Sequence, residues 1–461
     1  MMQLSTASLA MHGSLMGADG RFDCVGTDSR AICPGQLFVA LKGEHFDGHA
    51  YAKQALEQGA AAVVLEKNTA NLSPAILVKD SYLALGQLAA HWRAKFSIPV
   101  LAITGSNGKT TVKEMISAIL AVKAGGMTAI HATLGNLNNH IGLPLTLLKL
   151  RDTHQYAVLE MGMNHIGEIA YLTDLAKPTL ALINNAGTAH LGELGSRDNI
   201  ALAKGEIFAG LAANGVALIN ADDDYAAYWR SLNAGKKIVS FGMDHPADVQ
   251  VSYQEKDRGY AVHLRTPSGE VNFVLQLMGE HNVRNALAAS AAAYALGVPN
   301  ADIATGLAGF SAFKGRLQNK IAVHQARLID DSYNANPDSM KAAIDVLANL
   351  AGEKILVLGD MGELGADAAR LHGEIGVYAK AQGLKQLYCL GELSLAMVQG
   401  FGAGARHFND AAALAEAIKP QLTSTVTVLV KGSRFMKMER VVDLLDEKNN
   451  QTSLQENQSC Y

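Results

Sequence analysis

The sequence predicts an α/β protein of three domains, in which parallel strands alternate with helices. Its 461 residues suggest about three domains, at roughly 150 residues each. With 49% hydrophobic and 18% charged residues, the chain can bury several cores, which excludes general disorder. From residue 97 onward, short apolar runs alternate with helical stretches, a pattern typical of parallel strands joined by crossovers.

The first domain is predicted over residues 1–96 as a small α/β unit. Its β-like runs lie at 36–41, 61–65 and 75–78. Its helical stretches lie at 51–58 and 82–95. Pro99 ends the last helical stretch, and a new apolar run starts directly after it. The boundary is therefore placed between residues 96 and 97.

The central domain is predicted over residues 97–313 as a parallel sheet with antiparallel edge strands. Buried-strand candidates are the apolar runs at 100–104, 156–160, 179–184, 215–220 and 237–241. The runs at 249–253, 260–265 and 271–276 alternate more in polarity, which is typical of antiparallel strands with one exposed face. An alanine-rich helix is predicted next, at 282–296.

The third domain is predicted over residues 314–461 as a small Rossmann-like sheet. Its strand candidates lie at 328–332, 354–359, 386–390 and 425–430. Its helix candidates lie at 339–350 and 370–382. The tail at 448–461 is polar, and we expect it to be frayed.

Charge and membrane patterning exclude two classes of protein. The 39 Lys and Arg residues against 43 Asp and Glu residues give a net charge of −4, which argues against a protein that coats nucleic acid or an anionic membrane. Residues 1–20 lack the basic start of a signal peptide. No uncharged apolar run reaches the roughly 18 residues that a membrane span needs. We expect no membrane span and no nucleic-acid partner.

The four cysteines are too few and too scattered for a disulfide framework, which favours the reducing cytoplasm. Cys24, Cys33, His45 and His49 form an alternative zinc set. The two cysteines are nine residues apart, however, and zinc sites usually space such ligands by two to four residues. The zinc interpretation is therefore disfavoured.

A glycine-rich turn directly after the strand at 100–104 is the sharpest chemical signal. It reads TGSNGKTT at residues 104–111 and leads directly into a helix. Successive backbone N–H groups in such a turn wrap a phosphate at a helix N-terminus. The predicted nucleotide-binding residues here are Gly105, Ser106, Asn107, Gly108, Lys109, Thr110 and Thr111.

Two residues of this turn have predicted roles of their own. Lys109 would neutralise the β- and γ-phosphates, and the hydroxyl of Thr110 would ligate Mg²⁺. The general P-loop pattern places a glycine five positions before Gly108, where this chain has Ile103. The departure indicates a particular subfamily of P-loops.

Glu160 and His190 are predicted metal ligands beside this turn. Each follows a buried apolar run, and ligands of open α/β sheets gather at the carboxyl ends of strands. Mg²⁺ prefers oxygen, so a histidine ligand is unusual and again points to one family.

The chain resembles the Mur ligases, ATP-dependent amide-forming enzymes of peptidoglycan precursor synthesis, over nearly its whole length. Residues 104–111, Glu160 and His190 match the family's P-loop, acidic and histidine motifs. Residues 279–286 match its GxHNxxNA signature, which implies that Asn282 and Asn285 bind the nucleotide near the adenine. Residues 314–316 match its hinge motif, which implies that Arg316 reaches ATP, and Asp331 matches the acidic residue that approaches the ribose.

Further segments resemble the branch of the family that adds D-alanyl-D-alanine. These are DSYNANPDS at 331–339, GNLNNHIGLP at 135–144 and LGDMGELG at 358–365. The branch that adds meso-diaminopimelate carries an Asp-Asn-Pro-Arg motif in its last domain, and the sequence has none. The resemblance implies substrate contacts by Asn138, Asn139, Asn334 and Asn336.

Two loops of the first domain resemble the UDP-binding loops of this branch. They are TDSR at 27–30 and residues 43–49, and they imply substrate contacts by Ser29, Arg30, Asp47 and His49. Without the resemblance, a polar turn with a surface arginine would be an equally good interpretation.

Lys204, in the run AKGEIF at 203–208, is a predicted catalytic residue by resemblance alone. The matching lysine of relatives is carbamylated, and its new carboxylate helps to hold a second Mg²⁺. Lys109 and His190 complete the predicted catalytic set. A lysine on a helix is otherwise most often exposed to solvent.

The resemblance implies an ATP-dependent ligase that uses Mg²⁺, two ions in all, and joins D-Ala-D-Ala to UDP-MurNAc-tripeptide through an acyl phosphate. We expect a cytoplasmic monomer. Another Mur ligase or a folylpolyglutamate-synthetase-like ligase is the nearest alternative, although the latter lacks the UDP-binding first domain. A nucleotide-switch protein is disfavoured because the sequence has no Asn-Lys-x-Asp guanine motif. The sequence leaves open whether the third peptide residue is meso-diaminopimelate or L-lysine.

Overall fold

The computed structural model describes residues 1–256, 259–313 and 315–448. In the first domain the strands are Met2–Gln3 (β1), Ser14–Met16 (β2), Arg21–Phe22 (β3), Cys24–Gly26 (β4), Gln36–Val39 (β5), Ala62–Leu65 (β6) and Ala75–Leu77 (β7). The helices are Leu4–Ala10 (α1), Ala52–Glu57 (α2) and Ser81–Arg93 (α3). The predicted start of α2 at residue 51 was wrong, because Gly48–Tyr51 forms a separate 3₁₀ turn capped by the Asp47 side chain.

The first domain is a mostly parallel sheet in the order β2-β7-β6-β5-β4, beside a short β1–β3 pair. Strands β5 and β6 are fully buried, as their apolar runs predict. Asp80 caps the start of helix α3, and its side chain accepts a hydrogen bond from the Leu83 N–H at 2.9 Å. At its other end, Trp92 Nε1 donates to the Leu150 carbonyl at 3.1 Å and Arg93 Nε donates to the Ala176 carbonyl at 2.9 Å. These bonds fasten the first domain to the central one.

The central domain carries the largest sheet. Its strands are Val100–Thr104 (β8), Ile130–Ala132 (β9), Tyr156–Glu160 (β10), Leu180–Ile183 (β11), Val216–Asn220 (β12), Lys237–Gly242 (β13), Val249–Lys256 (β14), Gly259–Thr266 (β15) and Gly269–Leu275 (β16). Its helices are Lys109–Ala124 (α4), Gly142–Leu147 (α5), Glu168–Ala176 (α6), Leu191–Leu194 (α7), Arg197–Gly205 (α8), Ala226–Leu232 (α9), Glu280–Ala295 (α10) and Asn300–Ala308 (α11).

The strand order is β16-β15-β14-β13-β12-β11-β8-β10-β9. The pairs from β9 to β14 are parallel, and β14, β15 and β16 pair antiparallel at the edge. The prediction of a parallel sheet with antiparallel edge strands is confirmed. Strand β9 and helix α11 were missed, β9 because three residues are too short for a clear pattern.

The third domain repeats the α/β plan on a smaller scale. Its strands are Gln318–Ile321 (β17), Arg327–Asp331 (β18), Glu353–Gly359 (β19), Gln386–Leu390 (β20), Ala405–Phe408 (β21) and Val426–Lys431 (β22). Its helices are Pro337–Ala348 (α12), Ala368–Ala381 (α13), Leu395–Phe401 (α14), Ala411–Ile418 (α15) and Glu439–Leu445 (α16). The strand order is β17-β18-β22-β19-β20-β21, parallel apart from the β17–β18 pair.

The three-domain α/β architecture is as predicted. Within the described residues, no helix is long and apolar enough to cross a membrane. The predicted frayed tail lies outside these residues from position 449 onward. The loops after β8, β10 and β11 meet the loops after β18, β19 and β22, so the carboxyl edges of two sheets share one cleft.

Candidate active site

The glycine-rich turn joins β8 to α4 and places Gly108 at the start of the helix. Gly108 has φ +79°, a left-handed conformation that favours glycine. A Cβ at this position would lie 2.3 Å from Asn285 Oδ1. Glycine is therefore required here both by the backbone and by the close approach of α10.

The turn is also held by the loop after β11. The Ser106 N–H donates to the Asn185 carbonyl at 3.0 Å, and the Asn107 N–H donates to Asn185 Oδ1 at 2.9 Å. These two N–H groups are engaged within the protein, so the N-terminus of α4 itself is the part of the turn that is directed at a ligand.

Lys109 lies at the first position of α4, half-buried, with its ammonium group over the turn. Its Nζ donates to the Gly105 carbonyl at 2.7 Å. Burial lowers the pKa of Lys109, and the nearby carboxylate of Glu160 opposes that shift. An anionic phosphate in the turn would add a further opposing charge and hold the lysine cationic.

Thr110 and Glu160 form the oxygen pair that the sequence predicts for a metal. The Thr110 hydroxyl donates to Glu160 Oε2 at 2.9 Å, and Asn138 Nδ2 donates to Glu160 Oε1 at 2.8 Å. Glu160 is 3% exposed. A hydroxyl and a carboxylate are ligands that Mg²⁺ accepts, so these residues fit the ion. No group of three His, Cys, Asp or Glu side chains suited to a metal occurs among the described residues, so phosphate or water oxygens would complete the coordination.

His190 faces the same cavity but is paired with the third domain. Its Nδ1 lies 2.8 Å from Glu363 Oε2, and the Gly192 N–H donates to the Glu363 carbonyl at 3.0 Å. The hydrogen bond from His190 lowers the pKa of Glu363. Glu363 was not predicted from the sequence, because its partner is 173 positions away in the chain.

Lys204 is buried on α8, contrary to the ordinary position of a helical lysine. It is 2% exposed. Burial first, and then the positive charge of Lys109, lower the pKa of Lys204 well below its usual value. A neutral amine is the form that adds CO₂, so the environment fits the predicted carbamate.

A cavity of about 390 Å³ lies on the α10 side of the glycine-rich turn. Its apolar wall is formed by Phe241, Leu277, Leu287, Phe310 and Phe313. Asn285 Nδ2 donates to Asn282 Oδ1 at 3.2 Å, and Asn282 Nδ2 donates to the Met278 carbonyl at 2.7 Å. An apolar cleft with a few fixed amides is typical of a site for a planar base. Both predicted asparagines line it.

Arg316 and Asp331 bring the third domain to this cavity. The Arg316 guanidinium lies 4.2 Å from the ring centre of Tyr333, and its Nη2 is 3.5 Å from Thr110 Oγ1. Its Nε is buried with no hydrogen-bond partner among the described residues, which is a vacant donor beside the nucleotide-binding turn. Lys314, the first residue of the predicted hinge motif, lies outside the described residues.

Each carboxylate oxygen of Asp331 already accepts one hydrogen bond from within the protein. Lys431 Nζ donates to its Oδ2 at 2.6 Å, and the Leu317 N–H donates to its Oδ1 at 3.1 Å. Sequence analysis missed Lys431, which is 3% exposed and lies at the end of β22. A lysine directly at the end of an apolar run was the signal that could have identified it.

A second cavity, of about 370 Å³, joins the two sheets. Its lining includes Lys109, Glu160 and His190 together with the four predicted substrate residues Asn138, Asn139, Asn334 and Asn336. Two of these amides also have structural roles. Asn139 Oδ1 accepts from the Gly142 N–H at 2.8 Å, and Asn336 caps α12 while its Nδ2 donates to Asn107 Oδ1 at 2.8 Å.

A further contact between the domains was not predicted. Asp338 Oδ2 accepts hydrogen bonds from the Thr188 N–H at 2.8 Å and from the Thr188 hydroxyl at 2.9 Å. Asp338 lies in the first turn of α12, and Thr188 lies two residues before His190. This contact holds the third domain against the histidine loop.

The four predicted residues of the first domain do not line either cavity. Ser29 is buried, whereas Arg30 is exposed and binds Asp28 with Nε and Nη2 at 2.9 and 2.8 Å. That bond lowers the pKa of Asp28 to about 2. His49 is fixed by Asp47 at 2.7 Å and by the Glu66 N–H at 3.0 Å. The first domain therefore presents a separate surface.

The chain is similar to known proteins over nearly its whole length. Residues 21–93 match the family described as "Mur ligase family, catalytic domain". Residues 103–293 match "Mur ligase middle domain", and residues 315–434 match "Mur ligase, glutamate ligase domain". UDP-N-acetylmuramoyl-tripeptide–D-alanyl-D-alanine ligase of Escherichia coli is 43% identical over 448 residues, which cover 96% of this chain and 98% of the relative.

Two solved structures show the same likeness. A crystal structure of MurF from Acinetobacter baumannii matches with a TM-score of 0.88 and 38% identity, covering 95% of this chain and 98% of that one. MurF ligase from Thermotoga maritima, in complex with ADP, matches with a TM-score of 0.82 and 27% identity, covering 93% and 98%. That relative thus binds ADP on the same fold.

Proposed function

The chain belongs to the Mur ligase family, and we propose that it joins D-alanyl-D-alanine to UDP-N-acetylmuramoyl-tripeptide at the expense of ATP. The observation that carries the proposal is the cavity of about 370 Å³ in which the phosphate-binding turn faces loops of the third domain. A ligase needs this arrangement, because the activated carboxylate and the attacking amine must meet beside the γ-phosphate.

In the first step, an oxygen of the tripeptide's terminal carboxylate bonds to the γ-phosphorus of ATP, and ADP leaves. The product is an acyl phosphate, which is a far better acyl donor than a carboxylate. Both reactants are anionic, so their approach requires positive charge. Lys109 supplies it over the turn, and the vacant Nε of Arg316 supplies a further donor.

In the second step, the neutral amine of D-Ala-D-Ala bonds to the acyl carbon, and the carbon–oxygen bond to phosphate breaks. One proton leaves the nitrogen, and an amide and inorganic phosphate remain. Water would destroy the acyl phosphate, so the cavity must be covered. The Thr188–Asp338 and His190–Glu363 contacts hold the third domain over it.

We further propose that Thr110 and Glu160 hold one Mg²⁺, and that His190 and a carbamate on Lys204 hold a second. Bound Mg²⁺ would neutralise phosphate charge during transfer. Addition of CO₂ to the neutral Lys204 amine, with loss of one proton, gives an anionic carbamate whose oxygens can serve as metal ligands. The burial of Lys204 and its low pKa support this assignment.

The first domain is proposed to bind the UDP moiety through Ser29, Arg30, Asp47 and His49. Asn138, Asn139, Asn334 and Asn336 are proposed to contact the peptide portions of the substrates, because all four line the shared cavity. We place the reaction in the cytoplasm, where ATP and UDP-linked precursors occur, and we propose that the enzyme works as a monomer.

The test is product formation with purified protein, ATP, Mg²⁺, D-Ala-D-Ala and either of two UDP-MurNAc-tripeptides, one with meso-diaminopimelate and one with L-lysine. We expect a product whose mass equals both substrates minus one water, and phosphate release only when both are present. Phosphate release that needs neither substrate would contradict the proposal. The comparison of the two tripeptides identifies the third residue.

A further inference from the structure

One charge of the dipeptide has no assigned partner. D-Ala-D-Ala carries a carboxylate at the end opposite its reacting amine, and a buried or half-buried carboxylate needs a cation. The Lys and Arg side chains among the described residues that line the shared cavity are Lys109, Arg316 and Arg434. Lys109 and Arg316 lie at the nucleotide-binding turn, where ATP phosphates take their charge. Arg434 is the cation that remains.

The backbone of Arg434 is held where three strand-end loops meet. Its N–H donates to Asn334 Oδ1 at 3.3 Å, in the loop after β18. The neighbouring Ser433 donates from its N–H to the Asp360 carbonyl at 3.0 Å and accepts from the Gly362 N–H at 2.9 Å, in the loop after β19. Arg434 itself follows β22. The carboxyl ends of parallel strands are where open sheets bind ligands, and this position is fixed before any ligand arrives.

The side chain of Arg434 is anchored at one nitrogen and open to the cavity elsewhere. Its Nη1 lies 2.9 Å from Glu439 Oε1, and its side chain is 57% exposed. A guanidinium has five N–H donors in a planar fork that matches both oxygens of a carboxylate. The bond to Glu439 orients the fork and leaves its other donors for a ligand.

The next residue supplies an apolar surface. Phe435 is 60% exposed, although it is a large aromatic side chain. It lies against Gly362, where an added Cβ would be 3.1 Å from Phe435 Cε1. The glycine therefore lets the ring lie against the loop after β19. An exposed ring on the residue that follows an anchored arginine suits a ligand with a carboxylate next to a methyl group.

We propose that Arg434 binds the terminal carboxylate of the incoming dipeptide and that Phe435 contacts its terminal methyl group. This inference rests on the proposed function and adds to it the residues that select a dipeptide with a free carboxyl end. Arg434 is a substrate-binding residue in this account, separate from the phosphate-binding turn.

The test compares Arg434→Gln with wild type, using D-Ala-D-Ala and its C-terminal amide, which lacks the carboxylate charge. We expect the dipeptide KM of R434Q to rise about 10- to 100-fold, the range for a lost charged hydrogen bond, with the KM for ATP unchanged. Wild type should lose a similar factor when given the amide. The variant should treat dipeptide and amide nearly alike. Arg370→Gln, which removes an exposed ion-paired arginine on α13, is the matched control.

A dipeptide KM for R434Q within twofold of wild type would overturn the inference, as would an undiminished preference of the variant for the free carboxylate. If R434Q does not fold, Arg434→Lys carries the test, because it keeps the charge and loses the fork; its KM should rise by several-fold, and an unchanged KM would again overturn the inference. A wild-type protein that forms no product from D-Ala-D-Ala would instead contradict the proposed function.

Discussion

The residues around the glycine-rich turn, which we call the rim, and the surface of the first domain hold their polar side chains in different ways. At the rim, Thr110, Glu160 and Lys204 are each less than a tenth exposed, and Glu160 is held by two hydrogen bonds. In the first domain, Arg30 is 87% exposed at its side chain and bound only locally to Asp28. A buried, mutually bonded group leaves its partners unsatisfied when it is removed, whereas an exposed one is replaced by water. Substitutions at the rim should therefore cost far more activity.

The largest effect is expected for Lys109→Ala. It removes the cation over the phosphate-binding turn, and we expect ligation to fall by about 10³-fold or more. The fold should survive because Lys109 is only half-buried, and circular dichroism would check this. Lys123→Ala, at the exposed end of the same helix, is the control and should retain wild-type turnover. Near-normal turnover of K109A would contradict the P-loop assignment.

Lys204→Ala tests a fully buried group. If Lys204 works as a carbamate, its loss should reduce kcat by about 10²-fold or more, the scale for groups that hold or orient a metal ligand. Acetate should restore part of the activity by occupying the vacated ligand position, and its effect is measured as phosphate release against acetate concentration.

Small amines are the control for that rescue. Rescue by an amine such as methylamine, with none from acetate, would mean that the native group is an ordinary ammonium. The carbamate assignment would then be wrong.

Asp338→Asn weakens the contact between Thr188 of the central domain and helix α12 of the third domain. The carboxylate accepts two hydrogen bonds from Thr188, and the amide keeps one acceptor oxygen of lower charge. We expect kcat to fall about tenfold, and a larger fraction of ATP to be hydrolysed without ligation, because the cavity closes less firmly. The ratio of phosphate released to amide formed measures this directly. Asp152→Asn, at an exposed position, is the control and should leave the ratio at one. An unchanged ratio in D338N would show that this contact does not help to close the cavity.

The smallest effect is expected for Arg30→Ala in the first domain. An exposed charged contact contributes about 0.2–1 kcal/mol, which corresponds to a rise of up to roughly fivefold in the KM for the UDP substrate. The KM values for ATP and the dipeptide should not change. Arg21→Ala, another exposed arginine of this domain paired with Asp23, is the control. A fall in kcat comparable to that of K204A would show that the two regions do not differ as proposed.

A point substitution is a sharper test here than removal of residues 1–96. Leu85 and Leu88 of α3 lie in the same buried cluster as Leu147 and Ile183 of the central domain. Truncation would expose that shared core, so loss of activity would not separate binding of UDP from loss of the fold.

Residues whose positions depend on a local pattern were predicted from the sequence, and residues whose roles depend on distant partners were not. The glycine-rich turn, Glu160 and His190 were identified because a contiguous motif or a strand end specifies their positions. The antiparallel edge strands were predicted correctly from alternating polarity. Lys431, Glu363 and Asp338 were missed because their roles depend on partners that lie 100, 173 and 150 positions away. Local patterns contain no record of such pairings.

Burial was the other quantity that the sequence did not supply. Lys204 was assigned by resemblance alone, since a lysine on a helix is ordinarily exposed. Only the folded structure shows that it is buried with a lowered pKa. Asn139 and Asn336 show the opposite case, since they line the cavity and also have structural roles: Asn139 accepts from the Gly142 N–H, and Asn336 caps α12.

The path of one oxygen atom tests the central claim most directly. The tripeptide is prepared with oxygen-18 in its terminal carboxylate and is ligated to D-Ala-D-Ala with unlabelled ATP in unlabelled water. Ligation through an acyl phosphate predicts that each released phosphate carries one oxygen-18 and that the new amide keeps the other. Phosphate without label, in a reaction that still forms the amide, would contradict the account.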